Sequence, residues 1–358
     1  MSYTKSEINL IVADSMTALT YKQKKLLLAA HNPNVRDRQK YEDELIKNIG
    51  GGVYNKVKAE FSDENYREGV LADLKRRGIE CSTFKSADYP EQLKNIPAPP
   101  LVLYLRGRRE LLSTRMFAVV GSRRTPAKML EECKRFCAEL SSYVTVVSGV
   151  ADGGDSAATA GAFSTGNVIC VLPGGHDSGC YNNVNLFKRV EREGLMISEF
   201  TPTAPVQKHT FTLRNRVIAG LSEGVLVASA GEKSGALSTA EYANNYSKEL
   251  FAFPYSVGVS AGVGCNKLIK LGAFLCDSVG DVLSALKIEY KKASAETFEA
   301  EDGDEAAVIN LLKAEGEMHA EQIAEKLKLK LTDVVTVCSM LEIKGLIVRS
   351  GGNSFTII

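Results

Sequence analysis

"FAVVGSRRTP", residues 117–126, carries an apolar run with a β-branched pair into a glycine and then two arginines. Such a run bounded by a turn signal predicts a buried strand that ends at Gly121, with a helix starting soon afterwards. A strand, turn and helix in this order open a dinucleotide-binding fold. Yet Ser122, Arg123 and Arg124 stand where a glycine-rich fingerprint belongs. The turn is therefore read as facing a phosphate-bearing ligand through side-chain cations.

Outward from this unit, residues 116 to about 286 keep alternating. "MFAVVG", "VTVVS", "NVICVL", "GLMIS", "GVLVAS" and "LFAF" are strand-like, and stretches such as "PAKMLEECKRFCAELSS" and "YNNVNLFKRVERE" between them are helical. Apolar, β-branched strands alternating with helices predict a mainly parallel sheet covered on both faces, an α/β, Rossmann-like, doubly wound domain over 116–287. Residues 1–80 read as short helices with apolar residues three or four apart. Their "NIGGGV" turn resembles a helix-hairpin-helix or SAM-like element, which leaves DNA contact and a plain helical accessory role both open. Residues 81–115, with four prolines before "LVLYL", read as a connector with an entering strand. Residues 288–304 are polar and poor in aliphatics, hence a linker, and 305–358 show three helices and a hairpin, the pattern of a winged helix.

The 358 residues, 44% hydrophobic and 24% charged, are those of an ordinary globular chain of two or three domains. Met1 opens a polar segment and no apolar run approaches a membrane span, so the expected location is cytoplasmic, with no membrane partner. Eight cysteines without a C-x-x-C pair read as core thiols, Cys133 and Cys137 lying one helical turn apart. Four histidines without an H-x-x-x-H pair predict no metal site, and no cofactor is expected. A net charge of +1 excludes a globally basic nucleic-acid binder, leaving a local patch.

In an open parallel sheet, ligands bind beyond the strand carboxyl ends. Those ends are "GSRR" (121–124), "SGVADGGDS" (148–156), "PGGHD" (173–177) and "SAGEKSGALST" (229–239). Glycine-rich ends converging on one rim expose backbone N–H groups and helix N-termini to an anion, although each glycine alone serves a tight turn equally well. No Gly-Lys pair exists, which excludes a P-loop. A second basic cluster, "QKHTFTLRNRVIAGLS", holds Lys208, Arg214, Asn215 and Arg216 with no acid between Phe200 and Ser222. Read as the start of a helix, Arg214 to Arg216 oppose its dipole, which predicts an anion among them.

These motifs, in this order from about Asp88 to Asp281, resemble the DNA-processing protein A family, also called DprA or Smf. "DYPEQLKNIPAPPLVLYLRG", "VVGSRRTP", "VVSGVADGGDSAATAGA", "VLPGG", "MISEF", "RNRVIAGLSEGVLVASA", "SGALSTAEYA" and "GCNKLIKLGA" carry the likeness. The resemblance implies a cytoplasmic, dimeric protein that binds single-stranded DNA and loads the RecA recombinase during natural transformation, with no catalytic reaction. Carried over by motif, the strand contacts are the Gly121-Ser122-Arg123-Arg124 turn, Ser148, Gly149, Gly174, Gly175, Lys188, Arg214, Asn215, Arg216 and Lys267. Three stretches depart from the family: "FT" before "RNR", "YNNVN" and "FAFPY".

A polymer of phosphates calls for several spaced cations rather than one pyrophosphate cradle, which fits two arginines on a rim. Tyr181 and Phe211 are the aromatics nearest in sequence to the glycine loop and the basic helix. Either is placed to stack a base, and for Phe211 anchoring in the core is the alternative. A competing reading is an enzyme, since "PGG" resembles nucleotide phosphoribohydrolases on a related fold. Those carry a G-x-G-T-x-x-E stretch after the double glycine, and "PGGHDSGCYNN" supplies neither the threonine nor the glutamate. A transcription regulator reading through the winged helix meets six Lys or Arg against ten Asp or Glu in residues 301–358, a net −4 that repels phosphate.

Overall fold

The computed structural model describes residues 3–179, 183–290, 303–343 and 345–357. The chain divides into two compact units, Met1–Glu289 and Tyr290–Ile358.

In the first unit five helices lead: α1 (Lys5–Ser15), α2 (Tyr21–Ala30), α3 (Arg38–Ile49), α4 (Gly51–Ser62) and α5 (Glu64–Arg76). Thr4 with Glu7 and Thr20 with Gln23 form capping boxes that fix the starts of α1 and α2. The "NIGGGV" turn joins α3 to α4 through Gly50, whose φ of +81° is the left-handed region a glycine adopts without strain. These helices do not stand apart from the sheet. Leu10, Ile11 and Leu74 bury against Cys81, Val102 and Tyr104, and the Tyr104 hydroxyl donates to Asp14 Oδ2 at 2.8 Å. The segment read as a connector supplies β1 (Glu80–Thr83), the short α6 (Glu91–Lys94) and β2 (Val102–Gly107), so it is part of the sheet itself.

Alternation then follows as the sequence predicts: β3 (Met116–Gly121), α7 (Ala127–Leu140), β4 (Thr145–Ser148), α8 (Gly154–Ala162), β5 (Val168–Val171), α9 (Val184–Glu193) and β6 (Leu195–Ser198). After these come α10 (Lys208–Leu221), β7 (Gly224–Ser229), α11 (Ala236–Asn245), β8 (Glu249–Ala252), α12 (Val263–Lys270), β9 (Phe274–Leu275) and α13 (Val279–Ala285). The sheet runs β1-β2-β6-β5-β4-β3-β7-β8-β9, parallel from β6 to β9 and antiparallel where β1 and β2 add to its edge. Met116 to Val120 are all buried, as a strand with helices on both faces requires. On α7, Cys133, Phe136, Cys137 and Leu140 form the buried stripe, one helical period apart. Burial pushes the Cys137 thiol well up and the Cys170 thiol to about 12, so both behave as core residues.

The strand order reverses between β3 and β7. From β3 the chain winds outward through β4, β5 and β6, then returns to lay β7 on the other flank of β3. That is a topological switch point, where loops leave two neighbouring strand ends in opposite directions and open a crevice.

The second unit has its own core of Val308, Leu312, Ile323, Val334, Leu341 and Phe355. It comprises α14 (Asp304–Glu315), β10 (Met318–His319), α15 (Ala320–Leu327), α16 (Leu331–Ile343), β11 (Ile347–Gly351) and β12 (Ser354–Ile357), with sheet order β10-β12-β11. Three helices and a hairpin with Gly352 in its turn are the expected winged helix. Most of the 288–304 linker lies outside the described residues.

Candidate nucleic-acid interface

The switch-point crevice is a cleft of about 460 Å³, walled by residues 120–124, the 231–236 loop, Phe211 and Asn215, with Asp155 and Arg214 among the residues lining it. Its shape follows from glycines in close contact. A Cβ on Gly121 would meet the Gly154 Cα at 2.7 Å, and one on Gly153, at φ +85°, would meet the Ser122 carbonyl at 2.3 Å. The turns after β3 and β4 therefore lie back to back, and the Gly154 N–H donates to the Ser122 carbonyl at 3.1 Å. Ser122 holds its own turn: its Oγ accepts from the Arg124 N–H at 3.1 Å and its carbonyl accepts from Thr125 Oγ1 at 2.7 Å. Arg123 and Arg124 are exposed on this fixed turn, and the Arg123 guanidinium lies 5.4 Å from the Phe211 ring centre. Phe211 is half-buried in the wall, and Arg214 lies 6.0 Å from the same ring.

Of the basic cluster expected at the rim, Arg214 and Asn215 do line the cleft but are buried and hydrogen-bonded, and Arg216 faces away from it. Arg214 and Asn215 are 4% and 8% exposed, and Arg214 donates to the Val171 carbonyl at 2.7 Å and to Asn215 Oδ1 at 3.0 Å. Asn215 is occupied in turn, donating to Ser238 Oγ at 2.8 Å. Arg216 turns the other way, donating to the Ala98 carbonyl at 2.8 Å and pairing with the half-buried Glu199. The expectation that these residues open a helix is corrected: α10 begins at Lys208, capped by Gln207 with Thr210, so Arg214 to Arg216 lie in its second and third turns. Cations there do not face the N-terminal end of the dipole, and the dipole no longer calls for an anion among them.

The glycine-rich ends after β4 and β5 are also committed to packing. Ser148 is fully buried and donates its hydroxyl to the Val119 carbonyl at 2.7 Å, and Gly149 has no room for a side chain beneath Asp155 and Arg214. A Cβ on Gly174 would meet Val206 Cγ2 at 2.7 Å, and one on Gly175 the carbonyls of Thr201 and Pro202 at 2.2 Å. The Gly175 N–H donates to the Ala204 carbonyl at 2.9 Å, so this loop braces the chain after β6 instead of presenting that N–H to an anion. His176 beside it is buried, bonded to the Tyr104 carbonyl at 2.9 Å, and burial pushes it down to about 4. Lys188 and Lys267 are exposed on α9 and α12, and neither lines the cleft. Tyr181 lies outside the described residues.

Sequence reasoning missed Lys233 and Asp155. Lys233 is exposed in the 231–236 loop and lines the cleft beside Glu232, and its signal was a cation inside a glycine- and serine-rich strand end. Asp155 is an acid inside an otherwise small-residue run. Burial pushes its carboxyl up, against the pull of Arg214 and of the N–H groups of Gly121 and Ala151.

Fold and cleft together define a doubly wound α/β protein with a cationic crevice at the switch point of its sheet. A family model described as DNA recombination-mediator protein A matches residues 80–287, and one described as the DprA winged helix domain matches 292–353. The chain belongs to this DprA/Smf family. It is 36% identical to DNA processing protein DprA of Bacillus subtilis over 61% of this chain and 74% of that protein. It is 38% identical to protein Smf of Synechocystis over 60% of this chain, a match that spans 56% of the relative's length. Among solved structures, DNA processing protein A of Streptococcus pneumoniae superposes with TM-score 0.61 at 29% identity, covering 81% of this chain and all of that one. The Helicobacter pylori protein, whose structure concerns its single-stranded DNA binding mode, superposes with TM-score 0.53 at 29% identity, over 58% of this chain and 96% of that one. Among the described residues no helix is long and apolar enough to cross a membrane.

Proposed function

We propose that the protein binds single-stranded DNA at the switch-point cleft and loads RecA recombinase onto it, as a cytoplasmic homodimer and without catalysing a reaction. The observation that carries this reading is the pair of exposed arginines on the rigid β3 turn, in a crevice that Lys233 also lines, with the Phe211 ring in its wall. Spaced cations take successive phosphates and an aromatic wall takes a base, a pairing that single strands use without sequence preference. The DNA-binding mode described for the Helicobacter pylori relative supports the same ligand. The phosphoribohydrolase alternative gains nothing from the Gly174-Gly175 loop, which packs on residues 201–206.

The test is a titration of oligo-dT and of a matched duplex with full-length protein. Tighter, salt-dependent binding of the single strand is expected, together with faster onset of RecA ATP hydrolysis on DNA precoated with single-strand-binding protein. Equal affinity for both DNA forms sinks the single-strand reading, and an unchanged RecA lag sinks the loading role. Release of free base from nucleoside monophosphates by purified protein restores the enzyme reading.

A further inference from the structure

Asp155 has no role in a reading built on cations, yet it lies at the base of the cleft. It is the second residue of α8 and 5% exposed, and its Oδ1 accepts the Gly121 N–H at 3.0 Å. Its Oδ2 and the Arg214 guanidinium both lie over Gly149, where a Cβ would come within 2.2 Å of Asp155 Oδ2 and 2.4 Å of Arg214 Nη1, and the Arg214 charge acts on the carboxyl. Arg214 reaches on to the Val171 carbonyl at the end of β5, and shares the Phe211 ring with Arg123. One carboxylate thus ties the end of β3 directly, and the end of β5 and the wall of α10 through Arg214.

A charge is buried at this cost only where partners repay it. Here one carboxylate oxygen takes the backbone N–H of the arginine turn, the Ala151 N–H also donates to the carboxylate, and the Arg214 guanidinium supplies the nearby opposite charge. Resting on the single-strand reading, we propose that Asp155 is the positioning residue of the cleft. It holds the Arg123 turn and the Arg214–Phe211 wall in one arrangement and does not touch the strand. Arg123 has a long side chain whose freedom is lost on binding a phosphate, and a turn fixed beforehand reduces what binding must order. Without the carboxylate, Arg214 is a buried cation lacking its counter-charge.

Asp155→Asn keeps the shape and an oxygen for Gly121 but removes the charge facing Arg214. Oligo-dT affinity of the full-length protein is measured for Asp155→Asn, Arg123→Ala and the double variant, with thermal unfolding alongside. Asp155→Asn is expected to bind about tenfold more weakly, the scale of one charge-assisted hydrogen bond. In the Arg123→Ala background its loss is expected to be clearly smaller than in the parent, because only the Arg214–Phe211 wall is then left for it to position. This coupling is what a general loss of stability does not produce. Losses that simply add, or parent-like binding by Asp155→Asn, overturn the proposal while the cleft reading stands on the weakness of Arg123→Ala. Parent-like binding by Arg123→Ala removes the cleft reading and the role of Asp155 together. If Asp155→Asn does not fold, Asp155→Asn with Arg214→Gln, which removes both buried charges, takes its place in the cycle with the same expected coupling.

Discussion

Arg123 and Arg216 show how far residue type underdetermines role. Both stand in basic clusters of the sequence, but Arg123 is exposed beside Phe211, whereas Arg216 is paired with Glu199. Arg123→Ala is expected to weaken oligo-dT binding and to flatten the slope of log affinity against log salt by about 0.7 for the one phosphate lost. A parallel shift with no change of slope contradicts a phosphate contact. Arg216→Ala instead removes the charge-assisted partner of Glu199, an expected loss of about 1–3 kcal/mol in urea unfolding. Glu199 also gives stability a pH dependence. Burial pushes it up to about 7 from its ordinary 4.5, despite the pull of Arg216. The folded state thus binds this proton more tightly than the unfolded one. The contribution is complete below about pH 4.5 and lost as pH rises through about 7. Thermal midpoints of Glu199→Gln and the parent, compared from pH 5 to pH 8, should therefore move in favour of the variant. His176 acts with the opposite sign: pushed down to about 4 from 6.5, its contribution is intact at neutral pH and disappears as pH falls toward 4.

At the scale of elements, the contact between β3 and α8 is where glycine is indispensable. Gly121→Ala drives a methyl to 2.7 Å from the Gly154 backbone and is expected to cost about 1–3 kcal/mol. Gly69→Ala, in the middle of α5 with nothing within 4 Å, is expected to add about 0.5–1 kcal/mol. Urea denaturation of the two variants checks both, and equal effects contradict the close approach. The sequence made the parallel strands legible because burial on both faces leaves near-continuous apolar runs, as in Met116 to Val120. It did not reveal β9, two exposed residues with no alternation to read, or β1, four residues at the sheet edge. Of the site, the "GSRR" turn was legible because a strand end fixes its place. The "RNR" cluster was not. Its start was misplaced by six residues, since Lys208 begins α10, and residues two apart on a helix point to nearly opposite faces. Arg214 and Arg216 therefore part company: Arg214 lines the cleft and bonds the Val171 carbonyl, and Arg216 goes to Glu199.

For the whole molecule, charge is distributed unevenly between the two units. The chain carries +1 and residues 301–358 carry −4, so residues 1–300 carry +5. The winged helix is commonly a DNA-reading module whose recognition helix enters a groove. In this unit that place belongs to α16, whose sequence "LTDVVTVCSMLEI" offers no cation and leaves Leu331, Met340 and Ile343 exposed. Such a face has hydroxyls but no cation for phosphate, and the net charge of its unit repels it. The unit also has its own core, so its removal need not disturb the first. A chain ending at Glu289 is accordingly expected to bind oligo-dT as tightly as the full-length protein, with the same salt slope. Since each phosphate neutralised on a single strand contributes about 0.7 to that slope, a single contact made by the winged helix would be measurable as a flatter line for the shortened chain. Identical slopes place every phosphate contact within residues 1–289, whereas a drop of one such step or more assigns contacts to the winged helix and overturns the charge argument.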